Sequence, residues 1–284
     1  MGLGSYIQLL KLRIGGMIGL TAVVAYLAVT EEISLTHILV LFVVMLLGSG
    51  SSAVLNHYYD RDIDREWERT ANRPLARAPL GAHKNVLWLA AALLLSGITI
   101  AVWQFNSMVA LHIFLGAFIY GVVYTIWLKR RTWLNIVFGG LAGSFAVLAG
   151  AASVEPQLHA LPLLFALVLF FWTPSHFWSL AIFLKEDYRK VGIPMLPVIV
   201  GEHKAARYIF LNSLFLVASS LLMALYGNLG NIYLLGALVV GAIFLYGNWQ
   251  MIQEPSKAIA RSNFFGSMKY LGGLFMVLVL DVHL

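Results

Sequence analysis

The stretch of sequence that decides the fold is ISLTHILVLFVVMLLGSGSSAVLNHYY, residues 33–59, which contains no Asp, Glu, Lys or Arg. A helix needs roughly 20 mostly apolar residues to cross the hydrocarbon core of a bilayer. This stretch is long enough to do so, and it ends in polar side chains, among them Asn56 and His57. The pattern therefore predicts a membrane-spanning helix whose last turn is polar.

Further apolar stretches lie on either side of it. Residues 14–30 and 264–280 each suit one helix, although Lys269 lies inside the second. Three longer stretches, almost free of charge, suit two helices apiece: 85–128, 132–184 and 208–253. Their polar breaks fall at residues 104–107, 154–157 and 226–231. The sequence thus predicts an all-α polytopic membrane protein with about nine transmembrane helices.

Composition agrees with this pattern. Of the 284 residues, 60% are hydrophobic and 11% charged, whereas a soluble domain is about 45–50% apolar and about a quarter charged. A soluble globular domain and a disordered chain are both excluded. The absence of cysteine excludes thiol nucleophiles and disulfides. We expect residues 1–284 to form a single membrane domain.

The basic residues predict the orientation. With nine helices, 18 of the 19 Lys and Arg fall at the N-terminus and in alternate loops, and the remaining one, Lys269, lies inside the last span. Glu31, Glu32, Glu155 and Asp281 fall on the opposite side. The basic side faces the cytoplasm, so we expect the N-terminus inside, the C-terminus outside and no role in binding nucleic acid. No cleavable signal or organelle import sequence is apparent, which favours the inner or plasma membrane of a cell. Two long loops, 58–85 and 185–207, place the chemistry at the cytoplasmic face.

An acidic row opens the first of these loops. Asn56, Asp60 and Asp64 are spaced by four residues, which places them on one face of a helix. Two carboxylates and an amide oxygen suit Mg²⁺, which binds a few carboxylates together with substrate phosphates. Asn56 lies at membrane depth, where polar groups are costly and usually functional. The alternative is a charged helix end with Asp–Arg pairs; in either case we expect the carboxylates to face the surface.

Basic side chains flank this row and suit the oxygens of a diphosphate. Arg65 follows Asp64 directly, Arg73 precedes Pro74 on the loop, and Lys129 closes the fourth predicted helix. Because positively charged loops also set topology, that role is the alternative for this group.

The second long loop carries a similar but sparser set. Asp187 is a candidate ligand of a second metal ion, and Lys185 a candidate phosphate contact. The Gly/Pro run at 192–197 predicts a defined, lid-like loop. His176 lies deeper in the membrane between aromatic residues, where it either contacts a ligand or forms a helix–helix hydrogen bond.

These segments resemble a known family. Residues 56–75 (NHYYDRDIDREWERTANRPL) are similar to the first signature of the UbiA-type intramembrane prenyltransferases. Residues 124–140 (YTIWLKRRTWLNIVFGG), 172–178 (WTPSHFW) and 187–197 (DYRKVGIPMLP) resemble its haem-prenylating branch, the protoheme IX farnesyltransferases. Val191 stands where many members of the superfamily carry a second Asp, so the second metal site is less complete than in those members.

The resemblance implies that the nine helices surround a central cavity, and it implies an activity. It implies transfer of the farnesyl group of farnesyl diphosphate to a vinyl group of protohaem IX (haem B), with addition of water, to give haem O and diphosphate. It also allows a hand-off of haem O to a haem A synthase or a terminal oxidase. Its implied site has Mg²⁺ held by Asn56, Asp60, Asp64 and Asp187, with Asp60, Asp64 and Lys129 catalytic. The diphosphate contacts are Arg65, Arg73, Lys129 and Lys185, and the haem contacts His57 and His176.

Two alternatives stay open. The first is a member of the same superfamily that takes a quinone-precursor aromatic such as 4-hydroxybenzoate or homogentisate, against which Val191 and the His176 segment argue. A multi-pass transporter would use Asn56, Asp60 and Asp64 as an ion site. The crowding of arginines around the acidic residues at one membrane face suits a diphosphate better than a passing cation.

Overall fold

The computed structural model describes residues 2–79 and 83–284, and the regular secondary structure in these ranges is helical. Residues 80–82, within the predicted loop 58–85, lie outside the described residues. In chain order the helices are α1 (Leu3–Leu9), α2 (Leu12–Leu27), α3 (Leu35–Tyr59), α4 (Arg61–Glu66), α5 (Pro74–Arg77), α6 (Val86–Gln104), α7 (Ser107–Phe118), a π-helix (Ile119–Leu128), α8 (Asn135–Ala152), α9 (Ala160–Phe183), α10 (Lys185–Lys190), α11 (Leu196–Val200), α12 (Glu202–Tyr226), α13 (Asn231–Gln253) and α14 (Lys257–His283).

The number of spans agrees with the prediction. Within the described ranges, eight helices are long and apolar enough to cross a membrane, the π-helix being the continuation of α7. The pair α1 and α2, bent by 45° at a short break, makes a ninth if it counts as one span. The prediction of an all-α polytopic membrane protein is confirmed.

The last helix is longer than the apolar pattern indicates. The pattern predicts residues 264–280, whereas α14 runs over Lys257–His283. The Asp281 carboxylate accepts hydrogen bonds from the backbone N–H groups of Gly230 (2.6 Å) and Tyr233 (3.0 Å) at the start of α13. Because this charge satisfies the open N-terminus of a neighbouring helix, α14 extends past its apolar core at the C-terminal end. At the other end the Ser256 hydroxyl accepts from the Ile259 N–H and caps the early start of α14.

The chain divides into two compact units, and one of the three boundaries between them falls inside α8. That residues 1–284 form a single domain stays a prediction. In the first unit, residues 2–129 and 145–157, α3 packs against α2, α6, α7 and the π-helix. Small residues allow the close approaches that membrane helices use. A Cβ atom added to Gly150 would lie 2.0 Å from the carbonyl oxygen of Ala22, so α2 and α8 touch through their backbones.

In the second unit, residues 130–144 and 158–284, α9 packs against α12 and α14, and α13 packs against both of these helices. Buried polar side chains link them. The hydroxyls of Ser175 and Ser213 lie 2.8 Å apart, Ser213 also donates to Asn248 Oδ1, and Asn263 donates to Ser179 Oγ. Such interhelical hydrogen bonds satisfy polar groups that lipid cannot, and they fix how these four helices pack.

Candidate active site

The acidic row lies at the cytoplasmic end predicted for α3. Asn56 is in the last turn of α3, Asp60 lies in the joint after it, and Asp64 is in α4. The Asp60 N–H donates to the Asn56 carbonyl and the Asp64 N–H to the Asp60 carbonyl, at 2.9 and 2.7 Å. The expectation that all three residues lie on a helix is corrected only at Asp60. The backbone of Asp60 leaves the helical region (φ −91°, ψ 0°), but the four-residue bonding pattern persists through the joint.

All three side chains of the row are buried, which corrects the expectation that the carboxylates face the surface. Asn56 is 3% exposed, Asp60 1% and Asp64 3%. Buried charge is costly unless it is paired and hydrogen-bonded, so this depth requires partners.

The partners are basic side chains from three separate segments. Lys11, in the break between α1 and α2, donates to Asn56 Oδ1 at 2.5 Å. Lys129, directly after the π-helix, pairs with Asp60 Oδ2. Arg73 places one guanidinium nitrogen 2.8 Å from both oxygens of Asp64. The row thus faces three basic groups, an environment suited to an anion with several oxygens.

The π-helix places two of these contacts. Its wider turn carries the Lys129 N–H onto the Tyr124 carbonyl, at 2.8 Å. Thr125 is buried on the same segment, where its hydroxyl donates to the Tyr120 carbonyl and accepts from Asn56 Nδ2 at 3.1 Å. π-Helical turns occur frequently at functional sites. Here the segment fixes the Asn56 amide and brings Lys129 onto Asp60.

Arg65 holds the loop that carries Arg73. Its guanidinium donates to the carbonyls of Ala76 (3.0 Å) and Ala78 (2.5 Å). Arg73 is extended, as predicted for a residue before proline, and Pro74 then starts the short helix α5. In this structure Arg65 is thus engaged with backbone oxygens, and its contact to a diphosphate stays a prediction.

The donor set of the row fits Mg²⁺. Within the described ranges no group of three or more His, Asp or Glu side chains could hold a metal ion. The row instead offers two carboxylates and one amide oxygen, and Mg²⁺ is often held by one or two carboxylates with the remaining sites taken by substrate phosphates and water. These residues therefore suit a metal that arrives with a diphosphate.

His57 follows Asn56 and is buried without a hydrogen bond to its ring. It is 3% exposed, and neither ring nitrogen has a partner among the described residues. Buried polar atoms are normally paired, so this imidazole is available to a ligand.

The second unit places Lys185 and Asp187 on α10. The Lys185 ammonium lies 3.1 Å from the Glu202 carboxylate, and Asp187 is half-buried. The run that follows is a defined loop, as its Gly/Pro content predicts, but its last two residues, Leu196 and Pro197, already belong to α11. Ile193 and Met195 are fully buried and anchor it, because their apolar side chains pack inward after the left-handed turn at Gly192 (φ 69°). That Asp187 binds metal and Lys185 binds diphosphate stay predictions.

His176 joins two helices of the second unit. Its ring lies between Trp172 and Phe264, with each pair of ring centroids 4.3 Å apart, and its Nδ1 is 2.7 Å from Ser267 Oγ. These contacts link α9 to α14 and match the helix–helix hydrogen bond given above as the alternative. Its contact to haem stays a prediction.

Comparison with known proteins decides the family. The model of the UbiA prenyltransferase family matches residues 17–273. The chain belongs to this family. It is 50% identical over 278 residues to "Protoheme IX farnesyltransferase 1" of Paramagnetospirillum magneticum, with 98% of each chain covered. The UbiA resemblance of the acidic signature is thereby confirmed.

Solved structures of UbiA-type proteins share the fold. A digeranylgeranylglyceryl phosphate synthase structure has a TM-score of 0.81 at 18% identity and covers 99% of this chain and 98% of its own. A UbiA homologue from Archaeoglobus fulgidus, bound to DMAPP and Mg²⁺, has a TM-score of 0.68 at 19% identity, covering 96% and 99%. At these identities the likeness concerns the fold alone.

Two residues that contact the acidic row are absent from the predicted set. Lys11 reads in the sequence as a topology signal before the first span, and its 45-residue separation from Asn56 hides the contact. Thr125 lies four residues before Lys129, on the same helix end. Its place one helical turn before Lys129, a predicted diphosphate contact, is the feature of the sequence that could have identified Thr125.

Proposed function

We propose that this chain is a Mg²⁺-dependent farnesyltransferase that joins the farnesyl group of farnesyl diphosphate to a vinyl group of haem B, giving haem O and diphosphate. The observation that carries the proposal is the 50% identity to a protoheme IX farnesyltransferase over nearly the whole chain. The buried row with its three basic partners supports it. A prenyl diphosphate requires oxygen ligands for its metal ion and basic groups that stabilise the leaving diphosphate.

The basic residues bind the leaving group. Arg73 and Lys129 donate to the diphosphate oxygens, and their charge stabilises the negative charge that develops as the bond between C1 of the farnesyl group and oxygen breaks. When bound by Asn56, Asp60 and Asp64, Mg²⁺ neutralises part of that charge as a Lewis acid. The electron pair of the broken bond leaves with the diphosphate, and the allylic carbon becomes an electrophile.

The acceptor completes the reaction. The vinyl π electrons form the new carbon–carbon bond, and the cation left on the haem side chain takes up water and loses a proton to give the hydroxyethylfarnesyl group. Because Asn56, Asp60 and Asp64 are buried, water has little access to the electrophile before the haem reacts.

We propose that His57 contacts the haem. The support is its buried imidazole, which has no protein partner within the described ranges and can ligate iron or donate to a propionate. His57→Phe should weaken haem binding and change the Soret band of the haem-loaded protein, while metal and diphosphate binding persist. An unchanged band and affinity would remove His57 from the site.

We propose further that the protein lies in the inner or plasma membrane with the site on the cytoplasmic side. The Lys and Arg residues support this, because they collect on one side of the predicted topology. A direct hand-off of haem O to a haem A synthase or a terminal oxidase stays a prediction.

Pigments from cells test the proposal. The chain is expressed in a host that lacks haem O, and the haems are extracted and separated. We expect haem O with the wild-type chain and haem B alone with Asp60→Asn. Haem B alone with wild-type protein present in the membranes would contradict the proposal, and prenylated 4-hydroxybenzoate or homogentisate in those cells would favour the quinone-precursor alternative.

A further inference from the structure

Lys11 has an unusual backbone for its residue type. It lies in the break of the bent pair α1 and α2 and has φ 47° and ψ 48°, the left-handed region. Residues other than glycine adopt this conformation at a cost, and such strain is concentrated at functional sites. At Lys11 it occurs where the side chain reaches 45 residues along the sequence to Asn56.

The Asn56 amide is fixed by its other contacts. Its Nδ2 donates to Asp60 Oδ2 at 2.7 Å and to Thr125 Oγ1 at 3.1 Å. The amide oxygen Oδ1 is therefore the atom left to face a metal ion, and it is the atom that accepts the hydrogen bond from Lys11.

An ammonium group and a metal ion compete for this oxygen. Two cations at one acceptor repel each other strongly in a buried site of low effective dielectric. A metal ion that takes Asn56 Oδ1 must therefore displace the Lys11 ammonium. The neighbouring carboxylates already have basic partners, since Lys129 pairs with Asp60 and Arg73 with Asp64.

We propose that Lys11 is a diphosphate-binding residue that moves from Asn56 Oδ1 to a diphosphate oxygen when metal and prenyl diphosphate bind together. This inference rests on the proposed function. The arriving diphosphate supplies the acceptor that the displaced ammonium needs. Lys11 thereby couples the two ligands: it opposes the metal alone and favours the metal with its diphosphate. It also ties the α1–α2 pair to occupation of the site.

The experiment compares Lys11→Met with the wild-type protein in detergent. Mn²⁺ is the metal probe, followed by its electron paramagnetic resonance, and farnesyl thiodiphosphate is the unreactive diphosphate. In Lys11→Met we expect Mn²⁺ alone to bind several-fold tighter. With Mn²⁺ present, the analogue should bind about 10-fold weaker, the loss typical of one hydrogen bond to a charged group.

Matched variants separate this role from a structural one. Lys11→Arg should restore binding of the analogue, and Arg13→Met, at an exposed position two residues along, should leave both affinities unchanged. If Lys11→Met does not fold, Lys11→Gln, which keeps a hydrogen bond to Asn56, is measured in its place and should show the same two changes.

The results that would contradict the role of Lys11 differ from those that would contradict the proposed function. Unchanged affinity for the analogue, or an equal weakening of both ligands, would overturn the role of Lys11 and leave a tether between helices. Failure of the wild-type protein to bind the analogue with Mn²⁺ would instead contradict the proposed function.

Discussion

Asp60 and Asp64 each hold a basic side chain from another part of the chain, Lys129 and Arg73 respectively. Replacing either carboxylate therefore removes a proposed metal ligand and also breaks an ion pair with a buried or half-buried cation. The two effects differ in size between the sites, because the Lys129–Asp60 pair is more deeply buried than the Arg73–Asp64 pair.

We expect Asp60→Asn and Asp64→Asn each to lower turnover by about 10²-fold or more, the loss typical for a preorganised charge in a closed site. Asp60→Asn should also lose up to about 3–5 kcal/mol of stability, the cost of unpairing a buried charge, and Asp64→Asn less. Haem product formation and thermal unfolding in detergent measure both effects.

Asp62→Asn is the matched control, because Asp62 lies on α4 together with Asp64 but is exposed. It should keep its turnover. Similar losses at Asp60, Asp62 and Asp64 would contradict the assignment of the buried row as the metal site.

The sequence predicted the row because a spacing of four residues is a local property. It did not predict the burial of the carboxylates, because burial depends on partners such as Lys11 and Lys129 that lie far away along the chain. The composition of the segment, rich in both acids and arginines, indicated a solvated helix end.

At the scale of elements, the helix breaks were predicted where polar residues interrupt apolar stretches. Asn106 shows why: its side chain accepts from the N–H groups of Met108 and Val109 and caps α7. The π-helix was not predicted, because one wide turn in an apolar segment leaves no mark in the hydropathy pattern.

The backbone contact between α2 and α8 predicts that a larger residue at Gly150 destabilises the protein. Gly150→Ala places a methyl group against the backbone of Ala22 and should cost about 1–3 kcal/mol, as overpacking does. Unfolding temperature in detergent measures the loss.

Gly272→Ala is the control for that measurement, since a Cβ atom at Gly272 meets nothing within 4 Å. Because alanine favours the helix, this variant should be neutral or gain about 0.5–1 kcal/mol. Equal stability of the two variants would mean that α2 and α8 are not in backbone contact.

For the whole molecule, composition was sufficient for the class, and the positions of the apolar stretches were sufficient for the number of spans. The sequence did not predict which distant helices pack together, because an apolar side chain carries no information about the helix that it faces. The orientation in the membrane rests on the distribution of Lys and Arg and can be measured directly.

The absence of cysteine makes that measurement simple. Glu155→Cys should react with a membrane-impermeant maleimide in intact cells, whereas Lys190→Cys should react only after the membrane is opened. Both positions are exposed. The reverse pattern would invert the topology and place the site on the outer face.

Product formation by the purified protein in lipid nanodiscs is the direct test of haem farnesylation. Haem B, farnesyl diphosphate and Mg²⁺ are supplied, and the haems are separated and identified by mass. We expect haem O with the wild-type protein, a dependence on Mg²⁺, and no product with Asp60→Asn. Folded wild-type protein that leaves haem B unchanged under these conditions would contradict the proposed function.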